Sequence, residues 1–468
     1  MKYYKISFIL LFALSLFGCE DYVNIKTQGS LIPEDVKNYR YLLNNTSVLE
    51  NGPQITDIAS DDVQLVDSTY QISGLSSSDY YAWYLKTYTW QTDIYPIGYY
   101  QTDYNWSCMY NTITYANTVI TEVPSSTGGN DSTKTELMAE ALVHRADAYL
   151  MLVNMYAKPY NASTSSSDLG VPLVLTETTT QALTRQSVQE VYNRVIADLV
   201  KALPSLPVTQ AYNTLPTKAS AYGELARTYL CMNDYAKANA YADSALSYRS
   251  TLNDLSSITT LNSSNYPLRI KDPEILLSKI AYGGVSAYSP TAMRLSDNLL
   301  NLLGTKDKRY SLFTIGASTI SSLYTDAGGR YFYKDRAIGE ARNIGPSVPE
   351  MMLIKAEYYA RNSQPQTAMD WVNKLRQKRF AATDYVPLTA SDANDALKKV
   401  IDERHREFFC RMLRWWDMRR LKDDSSFQET ITRTVHGKTY TLDPSSNRYV
   451  FPLPPYQVQL NPEMKQNP

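Results

Sequence analysis

Apolar residues recur at steps of three and four through long parts of this chain. Between Glu136 and Tyr156 the positions Leu142, Ala146, Tyr149, Val153 and Tyr156 fall on one face of a 3.6-residue period, which predicts an amphipathic helix. Ser187 to Leu203 repeats the pattern, with Ser187 placed as N-cap, Glu190 as its capping-box partner and Pro204 as the stop. The two are expected to pack as a pair. Ala219, Tyr222, Ala226 and Tyr229 then form one stripe, Asn233-Asp234 a turn, and Tyr235, Ala238, Ala242 and Ala245 a second stripe. Small residues at the facing positions let two helices approach closely, and such a pair must stack on neighbours because neither helix buries its apolar face alone. Glu350 to Arg361 with Pro365 to Arg379 predicts another pair, and Asp392 to Met412 a further helix.

Two long stretches, Asn51 to Tyr104 and Arg249 to Pro349, lack this periodicity and are rich in Ser, Thr, Gly, Asn and aromatic residues. They read as irregular loops with short β-like runs such as Tyr331-Phe332-Tyr333. Loops of this length in a compact protein are usually functional. The expected fold is therefore mainly α: a scaffold of helical pairs with long irregular loops and minor β.

Composition sharpens this picture in one respect. There are 39 Tyr and 6 Trp against 10 Phe, and side chains with a flat apolar body and a hydrogen-bonding tip suit half-wet surfaces better than a dry core. The balance of 46 basic and 47 acidic residues offers no electrostatic reason to expect nucleic acid. At the start, Lys2 and Lys5 precede the apolar run Ile6 to Phe17 and then Gly18-Cys19, the layout of a secretory signal. That run is shorter than the roughly 20 residues a bilayer span needs. Leu16-Phe17-Gly18-Cys19 resembles a bacterial lipobox, which makes Cys19 the expected lipid anchor and residues 1–18 a removed signal peptide. Glu20-Asp21 after it resembles the export signal of surface lipoproteins. Cys108, Cys231 and Cys410 remain, without Cys-x-x-Cys spacing and with three His in the whole chain, so buried thiols inside helices are expected and no metal or cofactor.

Motifs spread along the chain resemble the SusD/RagB family of nutrient-binding lipoproteins. Trp106, Tyr110, Ile113 and Ala116-Asn117 match one of its helices, and Glu140-Ala141, Arg145-Ala146 and Tyr149 another. Gly170-Val171-Pro172-Leu173 matches the loop that follows, and Arg185, Ser187-Val188, Glu190-Val191-Tyr192 with Asp198-Leu199 the next helix. Glu350 to Glu357, Leu375-Arg376 with Arg379, Glu403-Arg404 with Glu407, and Arg414-Trp415 with Asp417 and Arg420 come in family order, as does the ending Phe451-Pro452-Leu453-Pro454 to Pro468. The resemblance implies a tetratricopeptide-like scaffold, a division into residues 19–230 and 231–468 (the latter with a loop insertion at about 250–349), and catalytic inertness. It also implies an outer-membrane lipoprotein facing the cell exterior that acts as the lid of a SusC-like TonB-dependent transporter, as in a starch-utilisation system. The chain departs from the pattern at Arg411-Met412, where the family has Glu-Gly, so the helix is expected to run straight on there.

A sugar ring has one face of C–H groups and an equator of hydroxyls, so Trp or Tyr platforms with polar side chains at the rim bind it. The first loop block offers Asp61, Asp62, Tyr80, Tyr81, Trp83, Tyr84, Tyr88 and Trp90, with Tyr70 nearby; the second offers Tyr282, Tyr288, Tyr324, Tyr331 and Tyr333. Each has a structural alternative. Trp83 and Trp90 can equally pin a loop to the scaffold, Asp61 and Asp62 can serve in a turn or as a cap, and Trp106 reads as core from its helical spacing to Tyr110 and Ile113. Glu403 and Glu407 share a helix face, but the arginines beside them point to an ion-pair network and oppose a raised pKa. No Gly-x-Ser-x-Gly, His-Glu-x2-His, Walker or Gly-x-Gly-x2-Gly motif occurs. The expected ligand is an oligosaccharide. Oligopeptides are the alternative cargo, and a surface glycoside-processing enzyme is a distant third.

Overall fold

The computed structural model describes residues 34–77, 79–95, 103–176, 182–282 and 290–468, the side chains of residues 79, 80, 290 and 291 excepted. Its longer helices are α1 (Val36–Leu43), α2 (Tyr70–Ser76), α3 (Asp79–Tyr88), α4 (Tyr104–Glu122), α5 (Asp131–Tyr156), α6 (Val188–Ala202), α7 (Lys218–Cys231), α8 (Tyr235–Tyr248), α9 (Val348–Arg361), α10 (Pro365–Arg376), α11 (Ala393–Phe408) and α12 (Leu413–Leu421). Strands occur only as two-stranded pairs among the described residues: β1 (Asn51–Gly52) with β4 (Ile280–Ala281), β2 (Leu169–Pro172) with β3 (Arg185–Ser187), β5 (Thr314–Gly316) with β6 (Arg330–Phe332), and the hairpin β7 (Ile431–Val435) with β8 (Lys438–Leu442). The fold is mainly α, as expected.

Helices α4 to α11 pack in succession, with α8 against α9 carrying the stack across the intervening second loop block. Local chemistry sets the ends. Ser187 and Glu190 form the full capping box at the start of α6, which satisfies backbone donors the helix cannot satisfy itself. Ala238, Ala242 and Ala245 of α8 are completely buried, so α7 and α8 lie close. Helix α5 is buried on nearly every face from Leu137 to Tyr156 and forms the axis of the main core. Its Arg145 donates to both oxygens of Asp198 on α6 at 2.8 Å and to Asn117 on α4, which ties three helices together without leaving the charge unpaired.

Three expectations need correction. The first loop block is not irregular, because α2, α3 and the turn Thr56–Ala59 occupy much of it. Helix α3 is aromatic on opposite sides because it lies between two cores, with Trp83 in one and Tyr84 and Tyr88 in the other. The helix from Asp392 ends at Phe408, and Cys410 sits in the turn that follows and not in a helix. Met412 takes φ 72° there, a left-handed conformation that costs a non-glycine residue on the order of 1 to 3 kcal/mol. Two carboxylates hold the turn: Asp62 accepts the Cys410 N–H at 2.8 Å and Asp57 the Met412 N–H at 2.6 Å. The family's turn is therefore made without its glycine. Cys108, Cys231 and Cys410 are buried free thiols.

Candidate functional site

The two loop blocks are sewn together before they present anything to solvent. β1 from the first block pairs in parallel with β4 from the second, and the N–H of Tyr70 donates to the Asp326 carboxylate at 2.7 Å. At that second seam three aromatic rings meet. Tyr324 stacks on Tyr331 with centroids 5.8 Å apart and planes at 26°, and Tyr70 stands 6.0 Å from Tyr324 at 43°. Tyr331 is fully buried and forms the back wall, while Tyr70 is 44 % exposed and Tyr324 partly so. Partial burial and the neighbouring phenols of Tyr70 and Tyr81 raise the pKa of Tyr324, against the opposing charge of Arg336. Hence Tyr70, Tyr324 and Tyr331, drawn from positions up to 261 apart, form one aromatic face with Asp326 at its edge, and Tyr81 and Arg336 act on Tyr324 electrostatically.

The β5–β6 pair positions the Tyr324 loop. Gly329, just before β6, has φ 69°, and a Cβ there would come within 2.8 Å of the Arg294 guanidinium. Arg294 in turn donates to the carbonyls of Ala327 and Leu295. A second exposed pair lies elsewhere: Tyr104 and Tyr282 stack at 5.3 Å with planes 11° apart, Tyr104 being 38 % exposed.

Other expected site residues lie inside the protein. Trp83, Tyr84, Tyr88 and Trp90 are all buried. The Trp90 indole N–H donates to the Ala59 carbonyl at 2.9 Å, and the Tyr88 hydroxyl accepts from the Leu65 N–H. These rings pin the block to the scaffold, so no sugar reaches them in this conformation. The Arg433 guanidinium of the β7–β8 hairpin is sandwiched between them, 4.0 Å from the Tyr88 centroid and 4.1 Å from that of Trp90. It donates to the carbonyls of Ile58, Ser60 and Tyr88. It makes no direct ion pair among the described residues, and burial draws its pKa down to about 10 against the opposing pull of the Tyr88 phenol and the Asp61 carboxylate. Nothing in the sequence marked Arg433; an arginine in a β-alternating run (Ile431 to Val435) is the only signal.

Asp61 and Asp62 are neither a solvated turn nor a cap. Asp61 accepts from Nε and Nη2 of Arg414, both at 2.6 Å, and Asp62 bonds Nε2 of His405 at 2.9 Å. Asp61, Asp62 and His405 stand close enough to frame a cation, but the guanidinium already fills that role. Cys19, Tyr288 and the Tyr80 side chain lie outside the described parts.

The C-terminal charges form the buried network expected of them. Arg309 bridges Asp307, Glu403 and Glu407, Arg379 joins Glu407 to Glu274, and Arg420 joins Glu357 to Asp417. Burial alone would raise Glu407, but Arg379 and Arg309 outweigh it and hold the carboxyl at about 2. Glu403 is likewise held low by Arg309 and Arg376 against its burial. Neither has the raised pKa a general acid needs. Glu224, a carboxyl that burial does raise, is fully enclosed by the core.

A family model described as starch-binding, associating with the outer membrane, matches residues 26–230, and one for the SusD family matches residues 349–468. A SusD-like protein, P2, from Formosa agariphila is 27 % identical over 388 residues, covering 70 % of this chain and 73 % of the relative. Among solved structures, a SusD superfamily protein from Bacteroides thetaiotaomicron aligns with a TM-score of 0.72 at 19 % identity, covering 93 % of this chain and 100 % of that one. A SusD-like carbohydrate-binding protein from Bacteroides vulgatus aligns at 0.65 with 16 % identity, covering 92 % and 97 %.

Proposed function

The chain belongs to the SusD family, and from that premise we propose that it binds glycans at the cell surface and hands them to a SusC-like TonB-dependent transporter. The observation that carries the glycan reading is the face made by Tyr70 and Tyr324. Two tyrosines presented to solvent over a buried third ring offer flat apolar area for the C–H side of a sugar, with Asp326 beside it for hydroxyls. The family description of starch binding at the outer membrane supports the same reading.

Capture of this kind needs no bond chemistry, and Glu403 and Glu407, the carboxylate pair that shares a face of α11, are tied up in arginine pairs and do not supply the acid and base that glycoside cleavage requires. The protein acts as a binding subunit and not an enzyme. No described helix is long and apolar enough to cross a membrane; in this reading the lipobox-like Leu16-Phe17-Gly18-Cys19 supplies the attachment, through a lipid on Cys19. Acting as a lid, the protein would deliver its ligand by favouring the closed state, which requires that the ligand contact both proteins or bind the closed form more tightly.

Calorimetry of the soluble chain from Glu20 onward, against plant, host and microbial glycans and against mixed oligopeptides, tests the cargo. Binding of a glycan class is expected. Binding of peptides alone would replace glycan by peptide as the cargo.

A further inference from the structure

A cleft of about 300 Å³ opens between α11, α12 and the segment leading into β7. It is lined by none of the residues of the aromatic face. We infer that this cleft is a second, separate site for a single neutral sugar ring, built on the Arg414 and His405 side chains.

The floor of the cleft is rigid and polar. Arg414 and His405 are 14 % and 9 % exposed, and each is braced from behind by a carboxylate of the first loop block. Asp61 takes Nε and Nη2 of Arg414, which leaves Nη1 as a donor with no protein partner among the described residues. Asp62 fixes the His405 ring through Nε2. Asp61 and Asp62 thus act as positioning residues for a site they do not themselves line. Half-buried Asp402, one turn before His405, lines the cleft and has no hydrogen-bond or ion-pair partner among the described residues.

The rest of the lining is mixed: Met418, Leu421 and Tyr449, all buried, together with Ile401, Phe427 and Ile431, supply apolar surface, and Asp417, Lys422, Ser426 and Gln428 stand among them. Among the lining charges Lys398, Lys422 and Arg414 are balanced by Asp402, Asp417 and Glu429, and this balance favours neither an anion nor a cation. A cleft at the small end of ligand pockets, roughly 300 Å³, with many hydrogen-bonding groups, balanced charge and some apolar surface suits one neutral polyol ring, whose hydroxyls meet the polar groups and whose C–H face meets the apolar ones. Only the ligand class rests on the glycan reading above.

Saturation-transfer NMR with D-glucose, D-galactose, D-mannose and N-acetyl-D-glucosamine, each at millimolar concentration, tests this on three proteins: the parent chain, Tyr70→Ala/Tyr324→Ala and Asp402→Ala. At least one sugar should bind the parent and the double variant alike, and bind Asp402→Ala about tenfold more weakly, the loss of one hydrogen bond to a charged group. The melting temperature of Asp402→Ala should match the parent, since no protein contact is removed. Binding lost in the double variant and kept in Asp402→Ala would overturn the proposal, as would no binding by any of the four. Polymer binding on the aromatic face with an empty cleft sinks the cleft alone; a filled cleft without polymer binding sinks the aromatic face alone.

Discussion

Arg433→Met should loosen the whole first aromatic block. The substitution keeps the apolar stem and removes the guanidinium, so the carbonyls of Ile58, Ser60 and Tyr88 lose their donor in a buried place. An unsatisfied buried group costs about 1–3 kcal/mol, and each lost cation–ring contact about 1–2 more. Against this, the variant no longer has to desolvate a buried cation, a penalty of several kcal/mol. The net expectation is a loss of about 2–4 kcal/mol, read from urea unfolding. Limited proteolysis should show new cleavage between Thr56 and Tyr95, the stretch that Arg433 and Trp90 clamp. Arg433→Lys should rescue little, because one ammonium cannot reproduce the planar fork that meets three carbonyls between two rings. A loss below about 1 kcal/mol, with an unchanged proteolytic pattern, would mean that water replaces the guanidinium and that the hairpin is not the fastener of this block.

Acid should unfold the C-terminal half early. Glu407 and Asp417 are both held at about 2 by arginines that overcome their burial, below the unfolded values near 4. Their stabilisation is therefore present above the unfolded pKa and lost as pH falls toward 2, and thermal melts should drop steeply between about pH 5 and 2; a flat profile to pH 3 would contradict the network's role. Glu224 behaves oppositely. Burial and nearby Asp147 raise its pKa well above normal, so its contribution is present below the unfolded value and lost as pH rises. Glu224→Gln should melt at or above the parent at pH 7, by the equivalent of about 1 kcal/mol, and the difference should vanish near pH 4; a clearly lower melting point at pH 7 would count against this. Asp57→Ala should destabilise by about 2–4 kcal/mol through loss of the Met412 N–H acceptor, and Asp57→Asn by less than half of that, as measured by urea unfolding.

The scaffold was legible in the sequence because helix pairs are local. The stripe from Leu142 to Tyr156, the Ser187–Glu190 box and the Asn233-Asp234 turn all depend on residues within a few turns of one another, and all stand as expected. Helix α3 was missed although Tyr81, Tyr84 and Tyr88 keep helical spacing, because a helix buried on opposite sides loses its polar face and the density of aromatic residues masks the period. The same burial separates the aromatic candidates. Trp83, Tyr84 and Trp90 look identical to Tyr70 and Tyr324 in sequence, and only the tertiary contacts decide which ring meets solvent. The junction of Tyr70 with Tyr324, and the reach of Asp61 to Arg414, bridge hundreds of residues that no local pattern connects. The turn at Met412 was hidden for a different reason: its backbone is held by Asp57 and Asp62 from the far end of the chain, so the glycine expected at such a turn is dispensable.

The most direct test of the central claim is calorimetric titration of the glycan class that binds the parent chain into Tyr70→Ala/Tyr324→Ala, with Tyr104→Ala as a second variant. Each stacked ring is worth about 0.5–1.5 kcal/mol beyond its buried area, so the double variant should bind at least tenfold more weakly, while the lost contact with Tyr331 lowers the melting temperature only slightly and leaves the chain folded. Full affinity in the double variant would show that the face between the two loop blocks is not where this protein holds its ligand.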